Sequence, residues 1–309
     1  MQERDCVSKA LCGWWPSSHR GKVGIGAVPL PWGEVRGGPL PYLCAMPVYT
    51  DQLQRAVAIP FPPQRIVSLV PSQTELLHAL GLENEVVGIT KFCVHPKEWH
   101  QTKERIGGTK NINLQKLRSL RPDLVIANKE ENTREQVEEL AKEFPVWISD
   151  VNNLADALSM INSLGEITGK QQTANELLSA IKIAFAQLQT LHPTPRVAYL
   201  IWKDPYMTIG GDTFIHHLLQ QAGFQNVFAS RQRYPVITLE ELRAANCDLL
   251  FLSSEPYPFQ QKHVEELQEQ FGATTVLLVD GEFFSWYGSR LLLAPAYFQK
   301  LQAQVGLVQ

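Results

Sequence analysis

The clearest hydrophobic pattern in the chain runs from Thr168 to Leu191. Apolar side chains recur there at steps of three and four residues, while Lys, Gln and Asn occupy positions between them. This spacing is typical of an amphipathic helix with one buried face. Two prolines follow closely, and proline cannot continue a helix. The pattern therefore predicts one helix over 168–191, about 36 Å long at 1.5 Å per residue.

The sequences on the two sides of this helix resemble each other. On each side a basic residue leads an apolar strand (Arg65 and Arg196), and a later buried strand begins at an aspartate (Asp123 and Asp248). A polar loop, a helix and a further strand follow each aspartate. A long unit that occurs twice indicates two related lobes rather than a solenoid. We therefore predict an α/β fold of two Rossmann-like lobes with central sheets, joined by one long rigid helix.

The duplication also sets the predicted boundaries. These are an extended lead-in over 46–64, lobe one over 65–167, the linker helix over 168–191 and lobe two over 196–309. Residues 1–45 are rich in Gly and Pro and keep neither a helical nor a strand period. They also lack the apolar core of a signal peptide. We interpret them as a disordered extension, or as residues added by a start codon placed upstream of Met46.

Composition narrows the functional classes. The chain has 309 residues, 44% of them hydrophobic, and a net charge of −3. Its apolar runs are shorter than the ~18 residues that a membrane span needs, and no basic cluster suggests a nucleic-acid partner. We expect a monomer.

The cysteines show no metal-binding spacing, so we predict neither a zinc site nor a disulfide framework. For Cys247 we predict a free buried thiol. The others are Cys6, Cys12, Cys44 and Cys93.

The loops after the predicted strands carry most candidate binding residues, because ligands of open α/β sheets bind beyond the carboxyl ends of the strands. In lobe two, three successive strand ends deliver aromatic side chains into loops. Such a concentration predicts the lining of a pocket for a large, flat, partly apolar ligand. The candidates are Trp202, Tyr206, Tyr257, Trp286 and Tyr287, together with Arg290 at the end of the last loop.

Two polar candidates lie in lobe one, and each has two interpretations. Ser72 can cap the helix that follows the first strand, with Glu75 completing a capping box. Alternatively, this helix N-terminus faces the cleft and offers its amides to an anionic ligand group. Lys129 belongs to a charged loop that is either a solvated tip or part of the binding site.

The sequence carries no recognisable catalytic motif. It has no phosphate-binding G-x-x-x-x-G-K-[ST] motif, no G-x-G-x-x-G after a strand and no G-x-S-x-G elbow. Its histidines are scattered and lack metal-ligand spacing. We therefore predict binding without chemistry, with no catalytic residues, no metal site and no cofactor.

Several segments of residues 65–309 resemble a known family. These are Arg65 with IVSLVPSQTELLHALGL, then GGTKN, RPDLVIAN, the long helix and GSRLLLAPAYF. They are similar to the Fe/cobalamin periplasmic-binding family, the helical-backbone metal receptors of ABC importers for cobalamin, haem and iron–siderophore complexes. The resemblance implies a class III substrate-binding protein, in which strand-end loops clamp the ligand between two lobes with little hinge motion.

The cobalamin-binding subgroup is the most similar. The resemblance implies cleft aromatics at Phe92, Trp202–Tyr206 and Phe283–Tyr287, whereas Lys129 stands where that subgroup has tryptophan. It also implies one permease-docking carboxylate per lobe, for which Glu135 and Glu282 are the candidates.

Three functional hypotheses follow. The first is a periplasmic substrate-binding component of an ABC importer for a corrinoid or related metal chelate, with a permease as partner. The second is a cytoplasmic binder or sensor of a corrinoid, haem or siderophore, because no leader is visible. The third is a tetrapyrrole-metabolising enzyme, with Glu130, Glu131 and His95 as candidate catalytic residues.

Overall fold

The computed structural model describes residues 46–189 and 193–306, so the predicted N-terminal extension lies outside the described residues. Lobe one is built on a five-stranded sheet. Its strands are β3 (Ile66–Ser68), β4 (Val86–Ile89), β5 (Glu104–Arg105), β8 (Leu124–Asn128) and β9 (Val146–Ser149). All pairs are parallel, in the order β5-β4-β3-β8-β9. Two short hairpins pair β1 (Val48–Thr50) with β2 (Ala56–Ala58) and β6 (Gly107–Gly108) with β7 (Asn111–Ile112).

Lobe two repeats this arrangement. Its strands are β10 (Arg196–Trp202), β11 (Met207–Thr208), β12 (Gln225–Asn226), β13 (Leu249–Ser253) and β14 (Thr275–Val279). Strands β10, β13 and β14 are parallel neighbours, β12 is parallel to the start of β10, and β11 is antiparallel to its end. The central strands of both sheets are apolar and buried, as expected for parallel sheets covered on both faces. The predicted α/β class is confirmed.

Helices connect these strands. The described ones are α1 (Pro71–Ala79), α2 (Lys97–Thr102), α3 (Leu114–Leu120), α4 (Arg134–Ala141), α5 (Leu154–Ile167), α6 (Gln171–Ala186), α7 (Phe214–Gln221), α8 (Leu239–Ala244), α9 (Gln261–Phe271), α10 (Glu282–Ser285) and α11 (Ala294–Gln304). A 3-10 turn over Ser289–Leu292 lies between the last two.

The duplicated arginine and aspartate positions make the same contacts in both lobes. The backbone N–H of Arg65 donates to Asp123 Oδ1 at 2.8 Å, and that of Arg196 donates to Asp248 Oδ2 at 2.8 Å. Each guanidinium also donates to a carbonyl at the C-terminal end of the helix that precedes the aspartate, which is α3 in lobe one and α8 in lobe two. Cations there satisfy helix-end carbonyls and interact favourably with the helix dipole. The repeat seen in the sequence is therefore a structural repeat.

The linker helix is shorter than predicted. Helix α6 covers Gln171–Ala186, so the prediction of one helix over 168–191 is wrong at both ends. The chain turns before α6 at Gly169, whose φ of +70° suits glycine. A Cβ on Gly165 would lie 2.3 Å from the Cβ of Ala174. These two small residues therefore allow α5 and α6 to pack closely as a pair.

Helix α1 begins one residue before its predicted cap. Val70 is the N-cap, and its side chain makes no capping hydrogen bond. Pro71 occupies the first turn, where backbone N–H groups have no acceptor within the helix, so proline costs no hydrogen bond there. The predicted capping role of Ser72 and its capping box with Glu75 are therefore wrong. Ser72 is 2% exposed, and its hydroxyl has no hydrogen-bond partner among the described residues.

One hydrophobic core passes through both lobes. It contains Val125 from the sheet of lobe one and Phe251 from that of lobe two, with Phe284 and Leu291 from the segment after β14. A second, smaller cluster belongs to lobe two alone. Because buried side chains of both lobes share one core, opening the molecule as a hinge would expose apolar surface to water. This packing supports the expected small hinge motion.

The remaining predictions about chemistry concern the described residues only. Cys93 and Cys247 are free and buried, as expected for Cys247, whereas the other three cysteines lie outside the described part of the chain. Between 46–189 and 193–306, no three His, Cys, Asp or Glu side chains are placed to hold a metal ion. None of the helices described above is both long and apolar enough to cross a bilayer.

Candidate functional site

A cleft of about 560 Å³ lies between the carboxyl ends of the two sheets. Lobe one contributes the loops after β4 and β8 and the start of α1, and lobe two contributes the loops after β10, β13 and β14. The lining residues are Pro71, Phe92, Val94, Thr109, Lys110, Glu130, Glu131, Ile201, Trp202, Ile215, Tyr234, Glu255, Pro256, Glu282, Ser285 and Trp286. This volume is within the range of small-molecule pockets, about 300–1,000 Å³.

Three of the predicted aromatic residues line this cleft. Phe92 of lobe one is 51% exposed, so its ring is available to a ligand. Trp202 and Trp286 face the cleft from lobe two and are half-buried and buried respectively. The cleft therefore has apolar aromatic surfaces on both lobes.

The other predicted binding residues lie behind this surface. Tyr257 packs edge-on against Trp202 at a centroid distance of 5.5 Å, and Tyr206 packs into the smaller core of lobe two. Lys129 points away into an ion pair with Asp150 at 2.6 Å. Ser72 and Tyr287 are buried, and Arg290 is only 12% exposed in its side chain. These six residues support the cleft and do not line it.

Trp286 is held in place by a carboxylate. Its Nε1–H donates to Glu255 Oε1 at 3.1 Å, and the hydroxyl of Ser285 donates to the same oxygen at 2.5 Å. On the other side, the guanidinium of Arg290 lies 4.6 Å from the ring centroid, which is a cation–π contact. His95 packs edge-on against the ring at 5.7 Å. The indole is thus fixed before any ligand arrives.

Arg290 also joins the two lobes. Its Nη2 lies 2.6 Å from Glu75 Oε1 of α1, and its Nη1 lies 2.5 Å from Glu282 Oε2 of α10. The Glu75 contact is bidentate, since Nε also donates at 3.2 Å. One guanidinium therefore neutralises a carboxylate from each lobe.

A second bridge crosses the cleft itself. Glu130 of lobe one forms an ion pair with Arg233 of lobe two and accepts a hydrogen bond of 3.0 Å from the hydroxyl of Tyr234. Glu130 and Tyr234 both line the cleft, so this contact closes part of it.

The cleft is acidic. Of the described lining residues, four are glutamates and only Lys110 is cationic. Burial, then the charge of Glu255, raises the pKa of Glu131 to about 7 against an opposing effect of Lys110. Burial is also the main reason that the pKa of Glu255 is raised, and hydrogen bonds from Ser285 partly oppose it. Glu131 is therefore about half protonated near neutral pH.

The two predicted docking carboxylates differ in placement. Glu135 is exposed in the first turn of α4, where a partner protein can reach it. Glu282 is only 20% exposed in its side chain and is paired with Arg290 at the cleft. Glu282 is therefore less accessible to a partner protein than Glu135, and its docking role stays a prediction.

Residues 66–275, more than half of the chain, match the family described as periplasmic binding protein. The chain belongs to the periplasmic binding protein family. Its relatives include YvrC of Bacillus subtilis, an uncharacterized ABC transporter substrate-binding lipoprotein, at 29% identity over 213 residues, 65% of this chain and 67% of the relative. A vitamin B12-binding protein of Vibrio parahaemolyticus is 28% identical over 202 residues, 62% of this chain and 71% of that protein.

Solved structures of similar proteins share the fold. The vitamin B12-binding protein BtuF of Vibrio cholerae matches with a TM-score of 0.63 at 22% identity, covering 79% of this chain and 99% of BtuF. A structure from the Fe³⁺-hydroxamate transport system of Saccharomonospora viridis matches with a TM-score of 0.67 at 20% identity, covering 84% of this chain and 99% of its own. The predicted two-lobed fold of class III binding proteins is confirmed.

This periplasmic binding protein is therefore a substrate-binding protein of the kind that ABC transporters use, and not an enzyme. The three residues of the enzyme hypothesis nevertheless lie at the cleft. Glu130 and Glu131 line it, and His95 Nε2 lies 3.5 Å from Glu282 Oε1.

The sequence reasoning missed Lys110, Tyr234 and Glu255 as cleft residues, and it placed Glu131 only in the enzyme hypothesis. One signal for the carboxylates was present. Glu131 follows β8 and Glu255 follows β13, and these are the equivalent strands of the two repeats. Equivalent loops of a duplicated fold meet across the cleft, so a carboxylate in each predicts a pair.

Proposed function

We propose that this protein is the ligand-binding component of an ABC importer and that its ligand is a corrinoid or a related metal chelate. The observation that carries the proposal is the cleft between the strand ends, with Phe92 on one lobe and Trp202 and Trp286 on the other. Flat aromatic rings on both walls suit a broad, partly apolar macrocycle. The relatives named as vitamin B12-binding proteins support the same ligand class.

The setting of the protein follows from the same proposal. An importer component works outside the cytoplasmic membrane, and the Bacillus subtilis relative is named a lipoprotein. We place this protein there too, with a permease as its partner. Glu135 on α4 is the exposed carboxylate of lobe one that we assign to permease docking.

A ligand panel tests the proposal directly. We expect the full chain to be stabilised by cyanocobalamin or dicyanocobinamide in thermal unfolding, with haemin and a ferric hydroxamate siderophore for comparison. A ligand at a hundred times its dissociation constant adds about 2.7 kcal/mol to the free energy of unfolding, which is an easily measured shift. The absence of any response to corrinoids would contradict the proposed ligand class.

Two exposed phenylalanines provide a matched test of the site. Phe92 is 51% exposed inside the cleft, and Phe61 is 56% exposed outside it. We expect Phe92→Ala to raise the Kd for the corrinoid about tenfold, because the ring loses its apolar contact with the ligand, at a cost of about 1.4 kcal/mol. Phe61→Ala should leave the Kd unchanged. Titration by quenching of tryptophan fluorescence measures both. Equal Kd values for the two variants would place the ligand elsewhere.

A further inference from the structure

The charges of the cleft are unevenly neutralised. Arg233 pairs with Glu130, and Arg290 pairs with Glu282. In the part of the chain that the structure describes, neither Glu131 nor Glu255 is paired with an arginine; Glu255 instead accepts hydrogen bonds from Ser285 and Trp286, and Lys110 lies near Glu131. Glu131 and Glu255 come from the equivalent loops of the two lobes. Both side chains line the cleft, and the charge of Glu255 raises the pKa of Glu131.

A ligand that fills the cleft will remove water from these two carboxyl groups. A buried carboxylate without a hydrogen-bond donor or a positive charge is strongly unfavourable. Close like charges raise the cost further, because Coulomb repulsion grows as water is excluded. A ligand that brings N–H donors or positive charge to Glu131 and Glu255 offsets this cost, whereas a ligand that brings negative charge adds to it.

A buried hydroxyl beside Glu131 adds a second polar group at this place. Tyr287 is 6% exposed, and its hydroxyl lies beside the buried hydroxyl of Ser72. Burial, then the negative charge of Glu131, raises the pKa of Tyr287, so that phenol stays neutral and can donate. Tyr287 therefore places a neutral phenol behind the cleft wall, close enough to Glu131 for its pKa to respond to that charge.

We propose that Glu131 and Glu255 form a facing carboxyl pair that selects chelates with carboxamides on their rim and rejects chelates with carboxylates there. This inference rests on the proposed function and specifies its substrate class. Corrinoids such as cobinamide carry primary carboxamides around the ring, whose N–H groups donate to carboxylates. Haem, with two propionates, and corrinoid acids, with carboxylates on the rim, meet repulsion from the pair.

Two other ionisable groups near the pair stay neutral around pH 7. Burial raises the pKa of Tyr234 to about 12, and it also raises the pKa of Cys93, so both groups remain neutral. The remaining charged groups are Lys110 near Glu131, and Glu282 and Asp280 near Glu255. His95 faces Glu282, so each pH series needs a glutamine variant as its reference.

The test compares two ligands that share one macrocycle. Dicyanocobinamide carries carboxamides, and dicyanocobyrinic acid carries carboxylates at the same positions. We expect the full chain to bind the amide form on the order of a hundredfold more tightly, since like charges at an interface cost several kcal/mol. Glu131→Gln and Glu255→Gln should each reduce this preference on the order of tenfold, mainly by improving binding of the acid.

The variants include their own controls. Glutamine keeps an acceptor oxygen for Ser285 and Trp286, so the cleft wall is preserved in Glu255→Gln. Glu135→Gln removes an exposed carboxylate on α4 and should leave the amide-to-acid ratio unchanged. The ratio should also rise between pH 6 and 8 in the wild type, and less so in Glu131→Gln.

The outcomes separate the two proposals. If both corrinoids bind and the double variant Glu131→Gln/Glu255→Gln keeps the wild-type ratio, the carboxyl pair does not select the ligand while the proposed function stands. If neither corrinoid binds, the proposed function fails and the role of the pair fails with it. If the preference for the amide corrinoid over the acid falls in Glu131→Gln and Glu255→Gln but not in Glu135→Gln, the result supports selection by the carboxyl pair.

Discussion

Arg290→Ala should lower the free energy of unfolding by about 3 kcal/mol or more. The guanidinium is 12% exposed and contacts Glu75 and Glu282 at 2.6 and 2.5 Å. Its removal leaves two partly buried carboxylates facing each other without a cation, and breaking a buried pair from one side typically costs about 3–5 kcal/mol. Urea unfolding followed by circular dichroism measures the change.

The matched control for Arg290 is an exposed arginine. Arg118 pairs with Glu143 at 2.6 Å, and their side chains are 44% and 40% exposed. Arg118→Ala should change stability by less than about 1 kcal/mol, because water screens such pairs. The double variant Arg290→Ala/Glu75→Ala should recover part of the loss, since one orphaned carboxylate is gone. If Arg290→Ala unfolds like Arg118→Ala, the inter-lobe bridge contributes little to stability.

Glu131→Gln should stabilise the protein at pH 8 and have little effect at pH 5. Folding raises the pKa of Glu131 from 4.5 to about 7, mainly through burial. Between these values the folded state holds more protons than the unfolded state, so stability falls as pH rises through this window. The full penalty above pH 7 is about 3 kcal/mol, and glutamine avoids it.

The measurement for Glu131 is the difference in unfolding free energy between wild type and variant from pH 5 to pH 8. Glu135→Gln provides the control, because Glu135 is exposed on α4. A difference that stays constant over this range would show that Glu131 is not protonated by folding. A difference that grows from pH 5 and levels off above pH 7 would locate the titration of Glu131.

Much of the fold could be predicted because its signals are local. The apolar strands predicted after Arg65 and Arg196 form as β3 and β10, and the Arg and Asp positions of the repeat make equivalent hydrogen bonds. Helix ends were harder to predict. The amphipathic pattern continues through Gly169, which hides the turn that separates α5 from α6.

The site was only partly predictable, because pairing across the cleft leaves no local pattern. Aromatic residues in strand-end loops are unusual, and this pattern pointed to Trp202 and Trp286, which line the cleft; their contact with a ligand stays a prediction. Glutamates in a loop are common, and nothing near Glu131 in sequence shows that Glu255 approaches it. Ser72 illustrates the opposite error, since a plausible cap motif was overridden by the proline before it.

The bridge between Glu130 and Arg233 also bears on how quickly a ligand enters and leaves. Because this contact and the hydrogen bond from Tyr234 cross part of the cleft, a ligand that fills the whole cleft can enter fully only after they separate. Association then includes the opening of these contacts, and binding that requires a conformational change is slower than binding to an open site. The same contacts slow the dissociation of a bound ligand from the cleft. The ligand would therefore dissociate slowly from the closed protein. A partner that separates the loops of Glu130 and Arg233 would speed its release.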